Sequence, residues 1–437
     1  VLARRKSLIA AEVVKSIGNW AFLLDFLETE RTLYFVVTRW GQKVIYSHPN
    51  SLPMKSTDGL RNKGKTRADM DGRRKAVEKF TGALLSQSGN CSFDPILAEK
   101  NVENMIGCTQ VPLGFIGPLK VNGDHAQGDF LVPMATTEGA LLASVNRGAS
   151  IITASGGAEA IIIKDEMIRA PVFRTSGVRQ AKLVADWVCE HFDEVKKAAE
   201  STTSHGKLLK VHAFASGRSL FLRFYYDTGD AMGMNMCTIA TEAASRLIEE
   251  KAGIKLISVS GNMCVDKKPA AINFIEGRGK MVLADVRIPA ELVKDKLHTT
   301  PEAMVETCYR KNLVGSSMAL SCGFNAHAAN MLAALYIATG QDAAQVVEGS
   351  MVTTSCELCE EGVYLSVRLP CVEVGTVGGG TRLPCQGEAL SMIGCLGTGK
   401  AKKLAEIAAA LVLAGELSTL AAQSAGELGK AHKALGR

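Results

Sequence analysis

The chain has 437 residues, 47% of them hydrophobic and 22% charged, which suits a globular protein of two or three domains. Its net charge of +6 is concentrated in residues 1–80, which carry 16 Lys/Arg against 8 Asp/Glu; the charges are scattered and no nucleic-acid motif accompanies them, so the arm reads as a solvated extension and no nucleic-acid partner is expected. The twelve Cys are spread singly, many in apolar runs, and read as buried reduced thiols; the one close pair, Cys356 and Cys359, lacks the further ligands a zinc site needs, so no metal is expected.

In chain order, residues 1–60 alternate weakly between apolar and polar positions, as around Leu33 to Val37, and a polar linker follows over 55–74. Helical spacing begins at 75–85 and ends at Gly89-Asn90. The stretch 136–152 predicts a buried helix opening on a Thr cap, with Gly, Ala and Ser letting neighbours approach closely. Ser155-Gly156-Gly157 reads as a continuation of that close packing. Over 171–258 the pattern changes to an α+β insert, with strands at 208–214 and 219–226 and a helix at 238–252. Beyond Val259 the chain is Gly/Ala-rich and helical, finishing in a helix over 402–432. The apolar runs 9–27 and 404–420 are interrupted by acids and Lys, short of the ~20 clean residues of a membrane span. The start at Val1 rather than Met leaves room for an upstream anchor.

Three Gly-rich segments invite a nucleotide reading. Residues 394–401 miss a Walker A pattern only at the hydroxyl that would hold Mg²⁺, and no strand ending in Asp follows, which speaks against an ATPase. Residues 375–381 follow a strand-like run without G-x-G-x-x-G spacing, which argues against a Rossmann fold. In 230–236, exposed Met side chains, a Gly and Asp230 at a helix start could face a flat ring and phosphates, although Met-rich core packing explains the run as well.

Charged residues in apolar contexts are more informative. Lys267 and Lys268 lie in the otherwise apolar run 260–273, where a buried, unpaired charge would cost several kcal/mol. Two cations at one turn suit a substrate carboxylate and a developing oxyanion. Glu138 and Asp342 stand among small and apolar residues, and the three groups together point to a proton relay.

Pro133 to Gly139, Asp230 to Met236, Ser260 to Asn273, Gly340 to Asp342 and Gly375 to Thr381, in that order, resemble the motifs of class I 3-hydroxy-3-methylglutaryl-coenzyme A (HMG-CoA) reductases over about residues 73–437. The resemblance implies an α+β fold: a large helix-centred substrate domain (107–170 and 259–437), an inserted ferredoxin-like NADP-binding domain (171–258), a helical N-terminal part (73–106) and an unplaced extension (1–72). It also implies reduction of HMG-CoA to mevalonate and CoA with two NADPH and no metal, for isoprenoid and sterol synthesis. The partner expected is a second copy of the chain, in a homodimer or homotetramer with active sites at the subunit interface. A cytoplasmic-facing catalytic portion with its membrane anchor outside these residues is implied as well.

By the same resemblance Lys267 stabilises the carbonyl oxygen, Glu138 supplies protons, Asp342 couples the two, and His432 protonates the departing CoA thiolate. Arg169, Ser260, Asp266, Lys268 and Lys311 match the positions that hold the substrate carboxylate. Ser144, Asn146, Arg147, His298 and His327 match those for CoA, and Asn330 is expected to orient the Lys267–Asp342 pair. Asp230, Met232, Gly233, Met234 and Asn235 match the cofactor loop. Ser204 stands where many members carry an Arg for the 2′-phosphate of NADPH, with Lys207 or His205 as substitutes. Two other classes compete: a different acyl-CoA or aldehyde reductase, disfavoured by the acid-binding Arg169, Lys268 and Lys311, and a non-enzymatic module, which should have lost one of the four catalytic residues.

Overall fold

The computed structural model describes residues 64–426 and the backbone of three earlier strands, β1 (Asp25–Glu28), β2 (Arg31–Val37) and β3 (Lys43–Ser47). These pair antiparallel in the order β1-β2-β3, with Phe35 opposite Ile45, so the weak alternation near 33–37 is strand pairing. His432 lies outside the described residues.

One compact unit comprises residues 1–90 with 104–107. Its helix α1 (Arg67–Thr81) starts within the stretch read as a polar linker. Thr66 and Asp69 form a capping box there, Asp69 N donating to Thr66 Oγ1 at 3.2 Å and Thr66 N to Asp69 Oδ2 at 3.1 Å, and Gly82 (φ 80) stops the helix before residue 85.

The second unit, residues 91–103 and 108–437, is built on a ten-stranded sheet. Its strands are β4 (Leu113–Gly123), β5 (Gln127–Ala135), β6 (Ala158–Arg169), β7 (Val172–Arg174), β8 (Lys207–Ser216), β9 (Ser219–Asp227), β10 (Lys255–Ser258), β11 (Gly279–Pro289), β12 (Thr353–Cys359) and β13 (Gly362–Val372). The order is β10-β7-β9-β6-β11-β13-β12, with β4 pairing β5 and β6, and β8 pairing β9. Strand β6 joins two regions: Glu159 to Glu166 pair with β11, while Met167 to Arg169 pair with β9.

On the β9 side a separate hydrophobic core forms between the strands and helices α3 (Val178–Glu190), α4 (Phe192–Glu200) and α5 (Met234–Ala252). Every pairing among its strands is antiparallel, so this insert lacks the parallel βαβ sheet of a Rossmann fold.

The larger core lies under β4–β6 and β11–β13 and is filled by α2 (Leu141–Ala154), α6 (Ala328–Thr339) and α7 (Ala401–Ser424). Helix α2 begins later than its sequence pattern predicts. Residues Val132 to Ala135 continue strand β5, and Thr136 Oγ1 accepts from Glu138 N at 3.0 Å in the following loop instead of capping a helix. Ala140 (φ 68) starts α2 without a side-chain cap. Gly156 (φ 104) and Gly157 (φ 112) turn the chain from α2 into β6, so they are a helix-to-strand turn and not a helix-packing site. The glycine that permits close packing is Gly148, where a Cβ would sit 1.9 Å from the Ala414 carbonyl oxygen of α7.

Helix α7 passes the length and composition test for a membrane span despite Glu406 and Glu416, yet 94% of its apolar window is buried in the fold, as in a core helix. Both acids accept internal hydrogen bonds, although Glu406 Oε1 is buried without a partner. Glu406 Oε2 accepts from His125 N and Ala126 N at 2.8 and 2.6 Å, and Glu416 accepts from Ala326 N, His327 N and Thr354 Oγ1 at 2.7–2.8 Å.

Candidate active site

Lys267 stands on the turn between β10 and the short helix Ala271–Glu276. That turn holds Asn262, Val265 and Lys267 at φ of 64, 49 and 60, a left-handed backbone that costs energy in residues with a Cβ and most in β-branched Val265. The Lys267 Nζ lies 2.7 Å from Asp342 Oδ2, and Asp342 is itself fixed by accepting from Ala344 N at 3.1 Å. The pair is open to solvent, Lys267 at 43% and Asp342 at 31% side-chain exposure, and Lys268 and Glu138 are exposed too. Their apolar sequence context therefore reflects neighbours that point inward at the turn, not burial of the charges themselves.

Beside this pair Arg169 Nη1 reaches Ser260 Oγ at 3.3 Å and Asp266 Oδ2 at 4.0 Å, and Lys268 Nζ folds back to donate to the Asp266 carbonyl at 3.1 Å. Four of the residues expected to hold a carboxylate are thus brought together. Burial works to raise the Asp266 carboxyl, but Arg278, then Gln345 and Arg169, outweigh it and hold it below its ordinary value.

A fully buried charged cluster sits underneath. Arg278 pairs with Glu348 Oε1 at 2.7 Å, Asp266 Oδ1 at 2.9 Å and Glu373 Oε1 at 3.4 Å; Arg278, Glu348 and Glu373 have no exposed side-chain surface. Burial pushes the Glu373 carboxyl well above the usual range, and neighbouring Glu348 adds to it, against the pull of Arg278. Burial works against the charged Arg278, but the carboxylates of Glu373, Glu348 and Asp266 hold it cationic. Glu348, Cys371 and Glu373 are spaced closely enough to ligate a cation, but the guanidinium already supplies the positive charge there. Sequence reading missed all three charged residues. The signal that selected Glu138, an acid among small and apolar neighbours, is equally present at Glu348 and Glu373.

A second group forms around residues 415–419 of α7. His327 caps α6, and its ring contacts the Gly415 carbonyl at 3.0 Å and Thr419 Oγ1 at 2.6 Å. Ser144 Oγ lies 3.0 Å from Ser418 Oγ, and Arg147 donates to Ser418 Oγ and O at 3.1 and 2.6 Å. Asn330 Nδ2 lies 3.3 Å from both Glu138 Oε1 and His327 Nδ1. Among the described residues Asn330 thus orients Glu138 and not the Lys267–Asp342 pair, and no bond joins Glu138 to that pair. Asn146 Oδ1 accepts from Gly117 N at 2.9 Å, and His298 is exposed in a left-handed turn (φ 54). Lys311 rides on a π-helical run, Cys308–Gly315, where burial lowers its ammonium from the ordinary value against the pull of Glu416.

The loop 230–235 departs from its sequence reading in two ways. Its methionines are not exposed: Met234 is buried, and Met232 and Met236 pack against the core of the insert. Asp230 does not face open solvent for a phosphate. Its carboxylate accepts from Gly399, Lys400 and Ala401 N at 2.7, 2.9 and 3.1 Å, filling the N-terminus of α7 that the near-Walker segment supplies. The backbone of the 230–235 and 375–380 loops does meet the Asp342 loop. Gly375 N donates to Gln341 Oε1 at 2.8 Å, a Cβ on Gly375 would lie 2.5 Å from Met232 N, and one on Gly340 would lie 2.4 Å from the Gly380 carbonyl. Gly378 and Gly379 have nothing within 4 Å of such a Cβ, leaving open backbone that a flat ring or diphosphate can approach. Ser204 lies exposed on the turn before β8 and Lys207 exposed at that strand's first residue, and Gly206 of the turn abuts Met236 of α5.

The hydroxymethylglutaryl-coenzyme A reductase family pattern matches residues 69–437. The chain is 54% identical over 372 residues to the 3-hydroxy-3-methylglutaryl-coenzyme A reductase of Methanocaldococcus jannaschii, and 52% identical over 372 residues to that of Haloferax volcanii. Each alignment covers 84% of this chain and 92% of the relative. Among solved structures it is similar to the class II reductase of Streptococcus pneumoniae bound to NADPH in open conformations, with a TM-score of 0.62 and 21% identity over 75% of this chain and 79% of that one. At that identity the likeness establishes the mixed α/β fold. The extent of the family match and the identity to full-length relatives establish that the chain belongs to the hydroxymethylglutaryl-coenzyme A reductase family.

Proposed function

We propose that the chain reduces (S)-HMG-CoA to mevalonate and CoA, with two NADPH per turnover, in the mevalonate route to isoprenoids. The observation that carries this reading is the Lys267–Asp342 pair at 2.7 Å beside a cationic and polar group, Arg169, Ser260 and Lys268, suited to the substrate's distal carboxylate. NADPH, when bound, supplies the two hydrides. The Lys267 ammonium donates to the thioester oxygen as negative charge develops there, and Asp342 holds the ammonium in place. His432 protonates the sulfur as the C–S bond of the hemithioacetal breaks, giving an aldehyde and CoA thiol. Glu138, oriented by Asn330, protonates the final alkoxide to the alcohol.

We further read the Ser144, Arg147 and His327 group as the CoA subsite, and residues 171–258 as the NADP-binding domain; the separate core of that insert supports the division. Class I membership is supported by the form of the Lys267-Lys268-Pro269 turn. We also read the chain as a homotetramer with active sites at the subunit interface. We also read the catalytic portion as cytoplasmic-facing, a reading with which twelve free Cys agree. HMG-CoA-dependent oxidation of NADPH and of NADH, measured side by side with mevalonate as the identified product, tests the reading; a folded protein that oxidises neither would refute it.

A further inference from the structure

We infer that Glu348 is a positioning residue for the reductase reaction: from the buried core it holds the strained Asp266–Lys267 turn so that the Lys267 ammonium meets the reacting oxygen. The inference rests on the reductase reading above. Glu348 Oε1 accepts the backbone N–H of Lys267, the residue held at φ 60, and the same oxygen accepts from Arg278 Nη1 at 2.7 Å. Its Oε2 accepts from Asn273 Nδ2 at 2.9 Å, and that amide also donates to the carbonyls of Cys264 and Val265 at 3.2 and 3.3 Å. Arg278 meanwhile grips the Asp266 side chain at 2.9 Å.

Backbone and side chain of the dipeptide are therefore held from below by Glu348, Asn273 and Arg278, all fully buried. A left-handed Lys persists only where its surroundings over-determine it, and Glu348 is the group that bonds its N–H. Asp342 fixes the tip of the Lys267 side chain, while Glu348 fixes its root.

Two substitutions separate reach from charge. Glu348→Asp keeps a negative charge near Arg278 but withdraws the accepting oxygen from Lys267 N; Glu348→Gln keeps an oxygen at Lys267 N and gives up the charge. With HMG-CoA and NADPH, Glu348→Asp is expected to lower kcat about 10²-fold, the effect of an ångström-scale misplacement, with KM for NADPH unchanged. Glu348→Gln is expected to stay within about tenfold of wild type. Hydrogen exchange at the Lys267 amide, read on the folded proteins without substrate, should speed up in Glu348→Asp and stay slow in Glu348→Gln. The opposite order, with Glu348→Asp normal and Glu348→Gln impaired, or equal exchange in all three proteins, would overturn the inference. Because exchange needs no turnover, a wild-type chain inactive on HMG-CoA would refute the reductase reading while the exchange still decides the role of Glu348.

Discussion

Lys267 and Lys268 are neighbours in sequence with different tasks in the fold: the first points to Asp342, the second back to the Asp266 carbonyl. If Lys267 carries the oxyanion, Lys267→Ala should abolish thioester reduction, a loss of ~2.7–4 kcal/mol or more in the barrier, and because its side chain is exposed the melting temperature should barely move. Near-normal turnover in the folded variant would contradict the assignment. His432→Gln should cripple the reaction with HMG-CoA by ~10²–10⁴-fold while leaving reduction of free mevaldehyde much less affected, since that substrate expels no thiolate. Equal losses in both assays would reject the proton-donor role. At this scale the sequence drew attention to charged side chains in apolar contexts and was misleading about where they sit. Apolar neighbours suggested burial of Lys267, Lys268 and Glu138, whereas the charged group buried beneath that turn is Arg278, Glu348 and Glu373, paired across long sequence separations that no local pattern displays.

Among the elements, α7 ties the site together. Its N-terminus receives Asp230 from the 230–235 loop, its middle accepts α2 at Gly148, and residues 415–419 bind Ser144 and Arg147 of α2 and His327 at the start of α6. Its Ala-rich run was legible as a helix, but its place as the buried centre depends on long-range packing. Gly148→Ala would drive a methyl into the Ala414 carbonyl and should destabilise the fold by about 1–3 kcal/mol, read by denaturant melts. Asp230→Ala should cost about 0.5–2 kcal/mol through the lost cap. Burial works to raise the Asp230 carboxyl, but the three backbone N–H groups hold it below its ordinary value. Its contribution is therefore present above the unfolded value of ~3.9 and is lost as pH falls through the lower folded value. Wild type and Asp230→Ala should differ in melting temperature at pH 7 and converge in strong acid; a gap unchanged down to acid pH would show that the carboxylate is not the cap.

For the whole molecule, the α+β architecture and the α+β character of the 171–258 insert were legible from changes of periodicity, and the failed search for a Rossmann signature agrees with the insert's antiparallel pairings. What periodicity could not supply was β6 serving both parts of the sheet, because a strand that changes partners midway keeps one unbroken pattern. Cofactor choice also belongs to this scale, since the insert brings the 204–207 turn to the start of α5. With Ser204 and Lys207 in place of a bidentate Arg, NADPH should be preferred by a modest ratio that shrinks as salt is raised, seen in kcat/KM for both cofactors at two ionic strengths; an NADH preference would show that no 2′-phosphate site exists.

The central claim, a four-electron reduction of a thioester to an alcohol at one site, is tested most directly by the ratio of NADPH oxidised to CoA thiol released when a limiting amount of HMG-CoA is consumed. The account predicts two NADPH per thiol, with mevalonate as the product. A ratio of one with an accumulating aldehyde, or thiol release without NADPH oxidation, would contradict it.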